Sequence, residues 1–371
     1  MLPGNVLFVV MLRADLTFSG LAYRLMAAWK NLYDAEDKGT VFLVTTKSLW
    51  EKMYGNDTID GNYITLIDDR INYKKKALLL PLTVAKIIRK NKIKILHTNG
   101  NYLLLPIHYL KAILGIKTVV TFGSASIEMA STHSKYAARQ WKLVLDAASA
   151  IDVLNPVNTI DGFRSKKFTS ICSFPQRSNL NEYLHCSKNK KNIITYCGSL
   201  IPAKNPDLVL AAFNYYLRNS NDSFTVLHIF GKGPMKDEIL KVASQINASQ
   251  KRIAVVIEPT DQNMLRTLAQ SRIFLSLMDY TNYPSQALME AMLLGNDIIA
   301  TNFGDTQFIV KEENGNILVS EKNLRIIGNA IEKLLHKQVR FNEANANFIK
   351  QNHNIDNFTA YLRNLYQNIY K

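Results

Sequence analysis

At 371 residues the chain is long for a single core, and two domains of about 150–200 residues are expected. A composition of 47% hydrophobic and 20% charged residues excludes a disordered chain. Cys172, Cys186 and Cys197 have no metal-ligand spacing, and an odd count without a disulfide framework fits a reducing compartment. The net charge of +15 is uneven, because residues 1–178 carry 24 Lys/Arg against 13 Asp/Glu.

In chain order, the opening run Asn5–Leu12 is too short for a membrane span and lacks a basic segment before it. It reads as a buried first strand, not a signal peptide. Further strands are expected at Val41–Thr45, Tyr63–Ile67, Ile93–His97, Thr118–Phe122, Ala150–Leu154 and Thr169–Ser173. Helical patterns lie between them, at Gly20–Leu32, Leu82–Lys90, Leu103–Leu114 and Tyr136–Ala147. Such alternation implies crossover units and a parallel sheet covered on both faces. From Arg70 to Ile127 there are eleven basic residues and no acidic one, with Lys74, Lys75, Lys76, Lys86, Arg89, Lys90, Lys92 and Lys94 the densest part. Without a helix-turn-helix, zinc or RNA-recognition signature, this stripe fits an anionic membrane surface better than nucleic acid. A solvated helix face that only aids solubility has the same composition.

Residues 179–192 are polar and lysine-rich, the composition of a linker. The alternation then restarts with strands Ile193–Cys197, Thr225–Phe230, Ile253–Ile257, Ile273–Leu277, Ile298–Thr301 and Ile317–Val319. Helices are expected at Pro206–Tyr216, Met235–Gln245, Gln262–Gln270, around Glu290, at Glu321–Leu335 and over Phe341–Tyr370. The expected boundaries are therefore a first domain at 1–178, the linker, a second domain at 193–345, and a final helical segment, 346–371, that returns to pack on the first domain. Two doubly wound α/β domains in tandem would face each other across a cleft lined by their carboxyl-edge loops.

The chemistry concentrates in the second half. Pro284 and Ser285 open a helix whose first-turn N–H groups suit an anion, with Gln286 and Ala287 in that turn. Glu290, one turn on, is its only acid, placed to accept hydrogen bonds from vicinal hydroxyls; a solvated surface glutamate would look the same. Lys204, in Gly198-Ser199-Leu200-Ile201-Pro202-Ala203-Lys204, can set a compact cation beside a diphosphate. Gly231 and Gly233 follow a strand and permit close backbone approach, to a ligand or within a plain turn. In the first half, Thr17-Phe18-Ser19-Gly20 opens a helix beside a first strand, and His97-Thr98-Asn99-Gly100 ends another. His97 is either an acceptor contact or a satisfied core histidine.

Taken in order, Gly198–Lys204, Ile229–Gly233, the Glu290 helix, Asn302-Phe303-Gly304-Asp305-Thr306 and Asn314–Val319 resemble the donor domain of GT-B glycosyltransferases, specifically retaining family 4. The resemblance is good over residues 193–335 and weaker across the first domain. It implies that Lys204 holds the diphosphate, Glu290 the ribose, and Ile257-Glu258 the base. It further implies that Gly20, Gly198, Ser199, Gly231, Gly233, Ser285, Gln286 and Ala287 line the donor site. His97, Asn99 and Gly123 would face the acceptor, and Lys204, Asn282 and Glu290 would form the reacting centre. Three positions depart from the family pattern: Ser199 stands where an arginine is common, Asn282 replaces the first of two paired glutamates, and Gly123 falls near a common histidine. The implied partners are a nucleotide diphosphate sugar and a glycan or lipid-linked acceptor, in the cytoplasm or at the inner face of its membrane. No cofactor is expected: without an Asp-x-Asp motif, Lys204 and backbone dipoles would handle charge in place of a metal. No Gly-x-Gly-x-x-Gly opens a helix, which argues against a nicotinamide dehydrogenase. A non-catalytic relative that keeps the fold, and a nucleotide-sugar epimerase, share this architecture.

Overall fold

The computed structural model describes residues 2–11, 20–36, 39–55, 57, 60–99, 102–122, 135–153, 166–169, 174–175, 180–259, 262–280, 285–338 and 340–371. The chain forms two units, one of Met1–Gln176 with Asn354–Lys371 and one of Arg177–His353.

In the first unit, strands β1 (Asn5–Val10), β2 (Val41–Thr46), β3 (Ile64–Ile67), β4 (Ile93–Thr98), β5 (Lys117–Phe122), β6 (Ala150–Val153) and β7 (Lys166–Thr169) build one parallel sheet. The strand order is β3-β2-β1-β4-β5-β6-β7. Alternation along β1 divides the core: Val6, Phe8 and Val10 face the helices Gly20–Ala35 and Ile355–Tyr370. Leu7 and Val9 face the helix Tyr73–Lys90 and the short segment at 102–109. Near-continuous apolar strands are what a sheet buried on both faces requires. Thr46 caps the helix Lys47–Tyr54 and Asn72 caps Tyr73–Lys90, each accepting a backbone N–H.

The second unit repeats the plan with β8 (Lys191–Cys197), β9 (Val226–Phe230), β10 (Val255–Glu258), β11 (Ser271–Ser276), β12 (Asp297–Thr301) and β13 (Ile317–Val319). All pair in parallel in the order β10-β9-β8-β11-β12-β13. One face packs on helices Pro206–Asn219, Lys236–Gln250 and Leu324–Leu335, the other on Gln262–Gln270, Gln286–Leu293 and Glu343–Asn352. Residues 180–187, inside the lysine-rich segment, form a helix whose Leu180 is buried in this second core.

The single terminal helix expected over Phe341–Tyr370 is two helices. Glu343–Asn352 lies in the second unit, and Asn354 then leaves helical geometry and caps Ile355–Tyr370 by accepting the Asn357 N–H. That last helix buries Phe358, Leu362, Leu365 and Tyr366 in the first core. Among the described residues, no helix is long and apolar enough to cross a membrane.

A buried polar chain fastens the last helix to the strand ends. Tyr361 Oη donates to Asp152 Oδ1 at 2.7 Å, and Thr121 Oγ1 donates to Asp152 Oδ2 at 2.8 Å. Because the Thr121 proton is committed to Asp152, His97 Nε2–H donates to Thr121 Oγ1 at 2.5 Å. His97 Nδ1 then accepts from Tyr366 Oη at 2.6 Å. Burial pushes the Asp152 carboxyl up to about 6, with the Tyr361 and Thr121 hydrogen bonds and the Arg24 charge acting against it. Burial lowers His97 to about 3.

These shifts oppose each other. Asp152, raised above an unfolded value of about 3.9, stabilises the folded chain at low pH and loses that contribution as pH rises through about 6. His97, lowered from about 6.5, contributes above that value and loses its contribution as pH falls toward about 3. Asp152→Asn leaves the histidine slope alone. Relative to wild type, the variant is expected to lose stability between pH 6.5 and 4.5 by up to about 1.4 kcal/mol per pH unit. Denaturant unfolding at several pH values checks this, and parallel curves for the two proteins would refute the opposing pair. Deleting residues 355–371 removes five core side chains, Ile369 among them, of roughly 1.5–3 kcal/mol each, so the melting temperature should fall by more than 10 °C. An unchanged melting temperature would count against this packing.

Candidate active site

The carboxyl ends of β8, β9 and β11 in the second unit gather most of the residues expected at a donor site. Beyond β8 the chain crosses the loop that follows β9 at very short range. Gly198 N–H donates to Phe230 O at 2.9 Å, Leu200 N–H to Lys232 O at 2.9 Å, and Gly231 N–H to Glu258 O at 3.1 Å. A Cβ on Gly231 would meet Gly198 O at 2.1 Å, and one on Gly233 would meet Leu200 O at 2.3 Å. The close approach that these glycines permit is thus made to the neighbouring loop. Tyr196 Oη donates to Ser199 O at 3.1 Å, and the Ser199 side chain is exposed.

Lys204 lies back across this crossing. Its Nζ is 3.5 Å from where a Cβ of Gly198 would sit. Asn205 holds it there by adopting φ 48°, a left-handed conformation that asparagine tolerates. The Asn205 amide donates to Leu277 O at 2.8 Å and to Asp279 Oδ1 at 2.6 Å, and Asp279 N–H donates to Ala203 O at 3.0 Å. Lys322 pairs with the same Asp279 carboxylate. Thr301 Oγ1 donates to Met278 O at 2.6 Å, joining the end of β12 to the same loop. Burial lowers the Lys204 ammonium below its usual range. Among the described residues no carboxylate pairs with it, so an arriving anion would relieve a cation that has lost water.

The helix Gln286–Leu293 starts after the loop that follows β11, the strand beside β8. Ser285 caps it, Oγ accepting from Leu288 N–H at 3.4 Å while its carbonyl accepts from Met289 N–H at 3.1 Å. The Ala287 N–H at this entry has no acceptor among the described residues. Glu290 is 2% exposed and sits between the core residues Met289 and Ala291, far from the solvated position that a surface helix would give it. A carboxylate so placed is retained only with partners, protein or ligand.

Ile257 and Glu258 end β10, where the Glu258 carboxylate approaches His228 Nδ1 at 3.5 Å. Desolvation lowers the His228 imidazole, and Glu258 works against that shift. His228 is a neighbour that the sequence reading missed, since a lone histidine in a strand carries no local signal. Asn205, Asp279 and Lys322 were missed for the same reason: their roles are set by contacts across the sheet edge. The asparagine-proline junction before the helix at 206 was the one available hint.

In the first unit the structure decides between the two readings of His97. His97 is fully buried with both ring nitrogens engaged, which makes it the satisfied core histidine and not a surface acceptor contact. Asn99 bridges two strand ends, its Nδ2 donating to Met11 O at 2.7 Å and its Oδ1 accepting from Met11 N–H at 3.3 Å. Gly20 starts the helix Gly20–Ala35. Thr17, Ser19, Gly100, Gly123 and Asn282 lie outside the described residues.

Residues 185–355 match the family Glycosyl transferases group 1. Over 201 residues the chain is 24% identical to the poly(ribitol-phosphate) α-N-acetylglucosaminyltransferase of Staphylococcus aureus (strain COL). That match covers 53% of this chain and 37% of the relative, so the chain spans little more than a third of that enzyme's length. Among solved structures, Anabaena HepE in complex with UDP superposes with a TM-score of 0.73 at 13% identity, covering 98% of this chain and 100% of that one. A glycosyltransferase from Rickettsia africae gives 0.70 at 13% identity over 99% of both chains. WaaG, a glycosyltransferase involved in lipopolysaccharide biosynthesis, gives 0.64 at 11% identity over 97% and 99%. The chain has the GT-B fold of these glycosyltransferases, and the match to the group 1 family falls almost entirely within its second unit.

Lys204→Ala should leave the melting temperature unchanged or raise it, because a desolvated cation is removed. Affinity for a nucleoside diphosphate should fall about 10–100-fold, the loss of one charge-assisted contact. A lower melting temperature with unchanged affinity would make Lys204 structural. Gly231→Ala must displace the Gly198 carbonyl and is expected to cost about 1–3 kcal/mol of stability in chemical unfolding.

Proposed function

We propose that the protein transfers a sugar from a nucleotide diphosphate sugar to a hydroxyl of a glycan or lipid-linked acceptor, with retention, as in family 4. The observation that carries this is Lys204: a half-buried, partly desolvated cation with no carboxylate partner among the described residues, at the edge of a group 1 domain. Lys204 and the helix entry at Ser285–Ala287 hold the diphosphate and stabilise the charge that grows as the sugar–phosphate bond breaks. Glu290 accepts from the ribose hydroxyls, and Ile257-Glu258 border the base. Departure and attack occur on one face of the sugar, and the leaving phosphate takes the acceptor proton. Catalysis then rests on positioning and electrostatics, with neither a general-base pair nor a metal.

The relatives support an envelope role, one being an enzyme of poly(ribitol-phosphate) and another of lipopolysaccharide biosynthesis. With the basic stripe of the first unit, we place the enzyme in the cytoplasm, peripheral at the inner face of the membrane, and not on nucleic acid.

A thermal-shift panel of UDP, GDP, dTDP, ADP and CMP on wild type and on Glu290→Ala tests the donor site. One nucleotide should stabilise the wild type by about 2.7 kcal/mol at a hundredfold over its dissociation constant, and the variant should lose the shift. If no nucleotide shifts the wild type, the departures at Ser199 and Asn282 have removed donor binding, and a non-catalytic role replaces this reading. Turnover of donor without any acceptor would indicate an epimerase.

A further inference from the structure

The helix Tyr73–Lys90 is apolar on both faces at its centre. Leu80, Val84 and Ile88 point into the first core, as any covering helix requires. On the opposite side, Leu78, Leu79 and Leu82 are 65%, 46% and 60% exposed. Their outward face continues into exposed cations at both ends, Lys75 before them and Lys86 and Arg89 after. The next connection on the same face of the sheet repeats the feature: Tyr109, Leu110 and Ile113 are 60%, 45% and 79% exposed. Six large apolar side chains on neighbouring elements exceed the scattered exposure of an ordinary solvated surface.

Resting on the reading of the first unit as the membrane-facing, acceptor side, we infer that this patch docks an anionic lipid bilayer by insertion. The leucines, Tyr109 and Ile113 enter the acyl boundary while the flanking lysines and arginine meet lipid phosphates. Charge selects this occupant. The surrounding stretch from Arg70 to Ile127 has eleven cations and no acid. In a two-fold dimer the patch would meet its own copy, and the like charges would oppose each other. A nucleic-acid backbone would match the cations and leave the central leucines without a partner. A bilayer with acidic headgroups satisfies both parts at once.

Insertion and electrostatic adsorption separate by salt. Sedimentation with phosphatidylcholine vesicles, with and without phosphatidylglycerol, should be run at about 0.1 and about 1 M salt, where Debye lengths are about 10 and 3 Å. Wild type should bind the anionic vesicles and keep part of that binding at high salt. Leu78→Ser/Leu79→Ser/Leu82→Ser should lose the salt-resistant part by about tenfold or more. Lys74→Glu/Lys75→Glu/Lys76→Glu should lose capture at low salt. As a second readout, Leu82→Trp should shift its emission to the blue on vesicles. Equal binding by the serine variant, complete release of wild type by salt, or an unshifted tryptophan would overturn insertion. A wild-type dimer that the serine changes dissociate, without vesicle binding, would assign the patch to a second copy. The nucleotide panel reads the other unit, so a failed vesicle result with an intact nucleotide shift refutes this inference alone.

Discussion

The carboxyl edge of the second unit, where the donor site is proposed, depends on two backbones passing closer than any side chain allows. The loop after β8 runs against the loop after β9, with carbonyls of Gly198 and Leu200 where Cβ atoms of Gly231 and Gly233 would be. Three backbone hydrogen bonds across β8, β9 and β10 follow from that contact. They fix the floor on which Lys204 lies. Asn205 completes the arrangement by taking a left-handed turn stabilised through its amide. A lysine placed by a rigid, hydrogen-bonded turn does not have to be ordered when an anion arrives, and this pre-organisation is what electrostatic catalysis needs.

The first unit solves a different problem with buried polar groups. Its last helix returns from the far end of the sequence, and apolar packing alone would let it slide along its groove. The chain from Tyr361 through Asp152 and Thr121 to His97 and Tyr366 defines one register, because each hydroxyl has a single proton to give. Burying both a carboxyl and an imidazole costs stability, yet their shifts run in opposite directions with pH. Their slopes cancel, so the pair's contribution to stability stays nearly level between about pH 6 and 4.

Most of the fold was legible in the sequence. Except for the edge strand β7, whose Lys166-Lys167-Phe168-Thr169 lies before the expected Thr169–Ser173, the strands appeared as apolar runs in the expected order, because a sheet buried on both faces writes itself as continuous hydrophobicity. What was not legible is non-local. The break at His353-Asn354 was hidden because both flanking helices are amphipathic, so periodicity continued across a cap that only Asn357 reveals. Polar composition at 179–192 concealed a short helix held by the burial of Leu180. His97 lay at a strand end where chemistry is common, and its partners stand 24 and 269 residues away, beyond any local motif. Glycines 231 and 233 were found by their spacing, although the object they approach could be seen only in three dimensions.

Cations in this chain fall into three physical states, and the division explains why net charge alone says little about function. Lys190 is deeply buried and tied to Leu294 O and Asn296 Oδ1, so its charge is spent within the fold. The lysines of the 73–90 helix are at the surface, where water screens them and only a dense anionic partner sums their effect. Lys204 is intermediate, desolvated enough that burial disfavours its charge and open enough for a ligand to reach it. An anion gains most from the third kind, since part of the desolvation is already met by the fold and the attraction acts in a less polar medium. The excess of +15 thus describes the surface, and the proposed reaction rests on one partly buried ammonium.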